Sequence, residues 1–208
     1  MHLDPQRRAW WLKTLVQWHW ISSAVCLVGL ALFAVTGITL NHASQIGAEP
    51  VVTNRQAQLP DALKARLAAE AEGKTGKSPV PDELARWLAT DLGVAAAGKT
   101  AEWNDGEIYL SLPRPGGDAW ASVDFADGKV EYEKTDRGWV SWLNDLHKGR
   151  NTGPVWTWFI DVFAVACFVF AVTGLLLLQF HAQRRPSTWP LVGLGLLVPV
   201  LLALLFIH

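Results

Sequence analysis

The sequence predicts a membrane protein of three transmembrane α-helices, with one small water-soluble α+β domain inserted between the first helix and the second. Three observations predict it. Half of the 208 residues are hydrophobic, many for a soluble domain and few for a chain that is all membrane. The apolar residues are segregated: Ala24 to Leu40, Val155 to Phe180 and Trp189 to Ile207 are nearly free of charge, Asp161 being the exception. Each run, with its flanks, can cross about 30 Å of hydrocarbon at about 1.5 Å per residue. Most of the charged residues lie between, from Ser44 to Arg150.

These patterns divide the chain into an N-terminus with the first helix (1–43), the soluble domain (44–138), an amphipathic surface segment (139–153), and the second (154–183) and third (188–208) helices. The first helix starts after a basic segment, Arg7, Arg8 and Lys13, and Arg184 and Arg185 follow the second. The positive-inside rule puts both clusters in the cytoplasm, so the inserted domain faces outward and the third helix ends outside. Trp10, Trp11, Trp18, Trp20 and Trp189 mark the cytoplasmic interface, and Trp139, Trp142, Trp156 and Trp158 the outer one. Indole prefers headgroup depth because its ring is apolar and its N–H wants a partner. The long apolar stretch without a small-x-small site predicts a retained anchor rather than a cleaved signal. Cys26 and Cys167 both fall inside spans as packing residues, and the outward domain has no disulfide framework.

Within the domain, Leu63, Leu67 and Ala68 recur at helical spacing in Leu59 to Ala71, and Gly73 to Ser78 breaks the pattern. Pro81 opens a second helix, where Leu84, Trp87, Leu88 and Leu92 recur until Gly93. The period then changes to two. Residues 107–112, 119–123 and 129–132 read as strands, separated by the turn signals Pro113 to Gly117 and Asp127-Gly128. Asn104-Asp105-Gly106 adds a turn, with a short strand at Thr100 to Trp103 before it. The expectation is a small antiparallel meander packed on one or two helices.

Two spans resemble copies of one another. Phe33-Ala34-Val35-Thr36-Gly37 recurs letter for letter as Phe170-Ala171-Val172-Thr173-Gly174. Each copy has a histidine upstream (His19, His147) and another downstream (His42, His181), which points to duplication of a helix. The first span runs outward and the second inward. Topology therefore pairs His19 with His181 on the cytoplasmic side and His42 with His147 on the outer side, with His208 competing for either outer place. His2 is set aside.

Two imidazoles facing each other across an apolar gap between helices are what bis-histidine haem needs: neutral nitrogens as axial ligands, apolar walls to hold the porphyrin. Gly29, Gly37 and Gly174 would admit a flat macrocycle. Two b-type haems, one per leaflet, would make an electron path. A lone interfacial histidine is more often merely amphipathic, and small residues in membrane helices more often serve packing; the two matched pairs raise the haem reading above that. His19 and His42 lie 23 residues apart, about 34 Å along a helix and about 140° around it, so the two sites would occupy different grooves. Asp161, ionisable within a span, is a candidate proton or propionate partner.

Other chemistries are poorly supported. HxxxH and CxxC spacings are absent, which argues against zinc. The chain has no nucleophilic triad, phosphate loop or dinucleotide fingerprint, and a net charge of -1 gives no reason to expect a nucleic-acid partner.

Three pieces resemble the PepSY-associated transmembrane family: Trp18-His19-Trp20 through Thr36-Gly37, Ala121-Ser122-Val123-Asp124 with Asp127-Gly128-Lys129-Val130, and Leu146-His147-Lys148-Gly149 leading to Thr173-Gly174. The resemblance covers most of the chain up to Arg185. It implies a PepSY-like domain in the periplasm and a bacterial inner-membrane location. Larger members with more spans resemble ferric-siderophore reductases, which use paired histidines to hold b-type haems and reduce iron chelates. The implied ligands here are His19, His42, His147 and His181, the implied substrate is a periplasmic ferric chelate, and the implied setting is membrane lipid, as a homodimer or part of a larger membrane complex. PepSY domains also resemble peptidase-modulating modules, so the rival expectation is a non-enzymatic anchored module that restrains a periplasmic peptidase or senses the envelope.

Overall fold

The computed structural model describes residues 4–46, 49–104 and 106–207. The chain divides into two compact units, one of Met1–Phe33 with Trp158–His208 and one of Ala34–Thr157. The boundary falls inside two continuous helices, α1 (Pro5–Asn41) and α5 (Pro154–His181).

In the first unit, α1 and α5 run antiparallel along a seam. His19 meets Phe170 and Thr173, Cys26 meets Cys167, and the rings of Phe33 and Phe163 lie 5.1 Å apart. As the residue number rises on α1 it falls on α5, which fixes the register. Gly29 leaves room for the Phe163 ring on this seam: a Cβ built there would lie 2.3 Å from it. A short 3₁₀ turn, Ala182–Arg184, leads to α6 (Thr188–Phe206), which carries Pro199 in its interior. Among the described residues three helices are long and apolar enough to cross a membrane. Leu194, Leu196, Leu201 and Leu204 on α6, and Val162, Val165 and Phe168 on α5, are exposed. A helix that is apolar all round has no aqueous face, which suits it to lipid.

The second unit is built on a six-stranded antiparallel sheet of order β1-β6-β5-β4-β3-β2: β1 (Val51–Gln58), β2 (Gly76–Pro79), β3 (Thr100–Asn104), β4 (Glu107–Ser111), β5 (Gly117–Asp124) and β6 (Lys129–Asp136). Alternation sends Trp103, Ile108, Leu110, Ala121, Val123 and Val130 to one face. That face packs on α2 (Asp61–Ala71) and α3 (Asp82–Asp91) through Leu63, Leu67, Leu84 and Leu88. Each helix follows a proline and carries acid in its first turn, Asp61 in one and Asp82 with Glu83 in the other, where the helix dipole favours negative charge.

The meander of β3 to β6 on two helices matches the sequence expectation, and β1 and β2 extend it. Both are edge strands. β1 pairs with β6 from Val51↔Asp136 to Gln58↔Lys129, and its side chains are almost all exposed, so it offers no apolar alternation to read. β2 lies in the stretch expected to be a break, and its Pro79 is tolerated because an edge strand has one unpaired side.

The segment expected as an amphipathic surface stretch forms α4 (Gly138–Lys148), stopped by Gly149 in the left-handed conformation. It docks on the head of β5. The buried Asp145 carboxylate accepts the Gly116 N–H at 2.9 Å and pairs with Arg150 Nε at 3.1 Å. Gly116 has φ +73°, and a Cβ there would lie 2.7 Å from Trp142 Cβ, so this contact requires glycine twice over.

Candidate functional site

His19 lies in the middle of α1, on the seam with α5. Its Nδ1 is 3.1 Å from Thr173 Oγ1 and 3.2 Å from the Phe170 carbonyl, and its ring stacks on Phe170 with centroids 4.7 Å apart. The Thr173 hydroxyl donates to the Val169 carbonyl at 2.7 Å. A carbonyl only accepts, and the hydroxyl proton is already committed, so His19 must carry its proton on Nδ1. Nε2 is left with a lone pair, the form in which an imidazole binds a metal.

His181, in the last turn of α5, donates from Nδ1 to the Leu177 carbonyl one turn back, at 2.8 Å. The same logic leaves its Nε2 as an acceptor. His181 stands two turns beyond Gly174, about 10.5 Å along the axis and on nearly the same face. Gly174 in turn lies under His19: a Cβ at 174 would come within 3.1 Å of His19 Cε1. The two histidines therefore line one groove of about 580 Å³, with Gly174, Leu177, Leu178, Arg184, Arg185 and Thr188. Its walls are leucines, and two guanidinium-bearing residues stand among its lining.

The second unit holds the other two histidines. His147, at the end of α4, places Nδ1 2.6 Å from Thr36 Oγ1, and its Cε1 lies 3.8 Å from where Gly37 would carry a Cβ. Beside it, Thr39 Oγ1 donates to the buried Asn144 Oδ1 at 2.7 Å. His42, just past the end of α1, is exposed and donates from Nδ1 to the Ile38 carbonyl at 3.0 Å. It follows Gly37 by five residues, about 140° around the helix, so it faces away from the side that meets His147. A cavity of about 560 Å³ in this unit, beside Ser44, Glu49, Arg137 and Ser141, is lined by neither.

Of the sequence candidates, the structure thus brings His19 and His181 to one groove and leaves His42 and His147 on different sides of α1. Asp161 is exposed, two turns into α5, and lines none of the cavities described. His2 and His208 lie outside the described residues. The residues that sequence reasoning passed over are Thr36 and Thr173, each 7 % exposed and each a hydrogen-bond partner of a histidine. Their signal was present in the repeated pentapeptide, where Phe, Thr and Gly at positions i, i+3 and i+4 share one helix face.

Residues 10–208 match the profile of the PepSY_TM-like family. Neither the curated proteins nor the solved structures contain a match to the chain.

Proposed function

Because the chain belongs to the PepSY_TM-like family, its groove is read in a membrane setting, and we propose that it is a b-type haem protein of the bacterial inner membrane. In this reading it takes electrons at the cytoplasmic leaflet and passes them outward to an acceptor in the periplasm, a ferric chelate. The observation that carries it is the groove shared by His19 and His181, each with Nδ1 held by a backbone carbonyl and the Nε2 lone pair left to bind.

The residues present suit the group. In neutral form His19 and His181 offer two imidazole lone pairs, and the hydrogen bond from Nδ1 of each ring orients it and raises its basicity. Gly174 leaves room beside His19, where any side chain would intrude. Leu177 and Leu178 give the space apolar walls, and Arg184 and Arg185 supply positive charge for carboxylates. A b-type haem held there would supply one-electron chemistry at a potential set by its ligands and the polarity of its walls. His42 and His147 are proposed as the ligands of a second haem. The proposal stands on the first pair, which lines one groove.

The test is the optical spectrum of detergent-purified protein from cells supplied with haem precursors. Reduction with dithionite should shift the Soret band and raise an α-band. His19→Ala and His181→Ala should each remove the same haem and leave any second one in place. A colourless protein would overturn the reading in favour of a PepSY module anchored to modulate a peptidase or sense the envelope.

A further inference from the structure

We infer that the repeated pentapeptide Phe-Ala-Val-Thr-Gly is a seat for a histidine, and that each copy holds the histidine that precedes the other copy in the chain. This deepens the haem reading and rests on it only for what the seated ring goes on to bind.

The complete seat is Phe170, Thr173 and Gly174, spaced i, i+3 and i+4 and so on one face of α5. Each has a separate task toward His19. The Phe170 ring stacks on the imidazole at 15° and its carbonyl accepts from Nδ1. Thr173 Oγ1 accepts from the same nitrogen while its own proton is tied to Val169. Gly174 leaves room for Cε1, which would stand 3.1 Å from a Cβ. Ala171 and Val172, the other two letters, are exposed and touch none of this.

The first copy repeats the Thr and Gly contacts with His147. Thr36 meets Nδ1 at 2.6 Å and Gly37 faces Cε1 at 3.8 Å. The burial of the five letters is the same in both copies: half-buried Phe, exposed Ala and Val, buried Thr, half-buried Gly. The histidines reach their seats by different routes, His19 from the body of a long helix and His147 from the end of α4. What the copies share is therefore the seat and not the spacing, which gives the Thr and Gly of each copy a common role in spans that otherwise differ. Thr173 and Thr36 are positioning residues. Thr173 selects the Nδ1–H tautomer of His19 and so decides which nitrogen is offered to the groove.

The test uses the full chain, haem-free and ¹⁵N-histidine-labelled in detergent, at about pH 8.5, where imidazole is neutral. Nitrogen shifts then report the tautomer of each ring, which mere packing would not set. His19 should be Nδ1–H in the unaltered protein and in Thr173→Ser. In Thr173→Val the tautomer ratio should move by about 2- to 10-fold, the worth of one neutral hydrogen bond. His147 should stay unmoved there and respond instead to Thr36→Val. Gly174→Ala, which keeps the hydroxyl, should perturb His19 alone and serves if Thr173→Val does not fold. An Nε2–H His19, an unchanged ratio in Thr173→Val, or responses assigned the other way round would overturn the seat. A colourless purified protein with these tautomer results intact would sink the haem reading and leave the seat standing; a haem-containing protein with an insensitive His19 would do the reverse.

Discussion

Gly29→Ala tests the seam that brings His19 to Thr173. The added methyl would stand 2.3 Å from Phe163 Cε2 and 2.7 Å from Cζ, whereas carbon atoms in contact prefer about 3.5–4.0 Å. The ring must therefore give way by more than 1 Å, by rotating or by prising α1 from α5. Overpacking of this kind costs about 1–3 kcal/mol, and the helix preference of Ala over Gly returns about 1 kcal/mol. The expected net loss is about 0–2 kcal/mol. Phe163 is half-buried, so part of the strain can be relieved outward. The assay is thermal or denaturant unfolding of the detergent-solubilised protein, as a double-mutant cycle with Phe163→Ala. Once the ring is gone the methyl at 29 has room, so the double variant should be no less stable than Phe163→Ala alone. That corresponds to a coupling of about 1–3 kcal/mol, the overpacking cost itself. Simple additivity of the two single effects would refute the register, and with it the placement of His19 against Thr173.

Gly116→Ala should be among the most damaging single methyl additions in the sheet domain. It forces a side chain into positive φ and against the Trp142 backbone, a loss of about 2 kcal/mol or more, visible as loss of hydrogen-exchange protection in β5 and α4. Acid should weaken the same corner. Asp136 is held below the ordinary carboxylate range by the Gly138 N–H first and by Arg114 as well. A folded-state pKa below the unfolded one means stabilisation that is present above about pH 4 and lost as pH falls through the depressed value. Asp136→Asn should therefore lower stability at neutral pH, leave the acid end little changed, and so flatten the low-pH limb of the stability profile.

The spans were legible because lipid demands long runs of one composition, and no other solvent asks for Val155 to Phe180. The meander was legible because Ile108, Leu110, Ala121, Val123 and Val130 alternate with polar neighbours in a half-buried sheet. β1 was not, since an exposed edge strand such as Val51–Gln58 is held by backbone bonds to β6, which leave no apolar pattern in its side chains. Nor was the docking of α4, because Asp145 reads as one more surface acid until the Gly116 N–H is placed beside it. The histidines could be picked out by position relative to the spans. Their partners could not: a threonine in an apolar run looks like filler, and only the contact between α1 and α5 gives Thr173 its role.

The pairing of β1 with β6 also sets how the sheet domain answers to force. Val51 and Asp136, where the chain enters and leaves the sheet, are register partners at one end of a single antiparallel ladder. Tension applied through those two points loads the rungs one after another, as a zipper is opened, and never all together in shear. The domain is thus mechanically soft at its root: a pull at its attachment peels β1 away first, while the ladders from β6 to β3 keep the core closed.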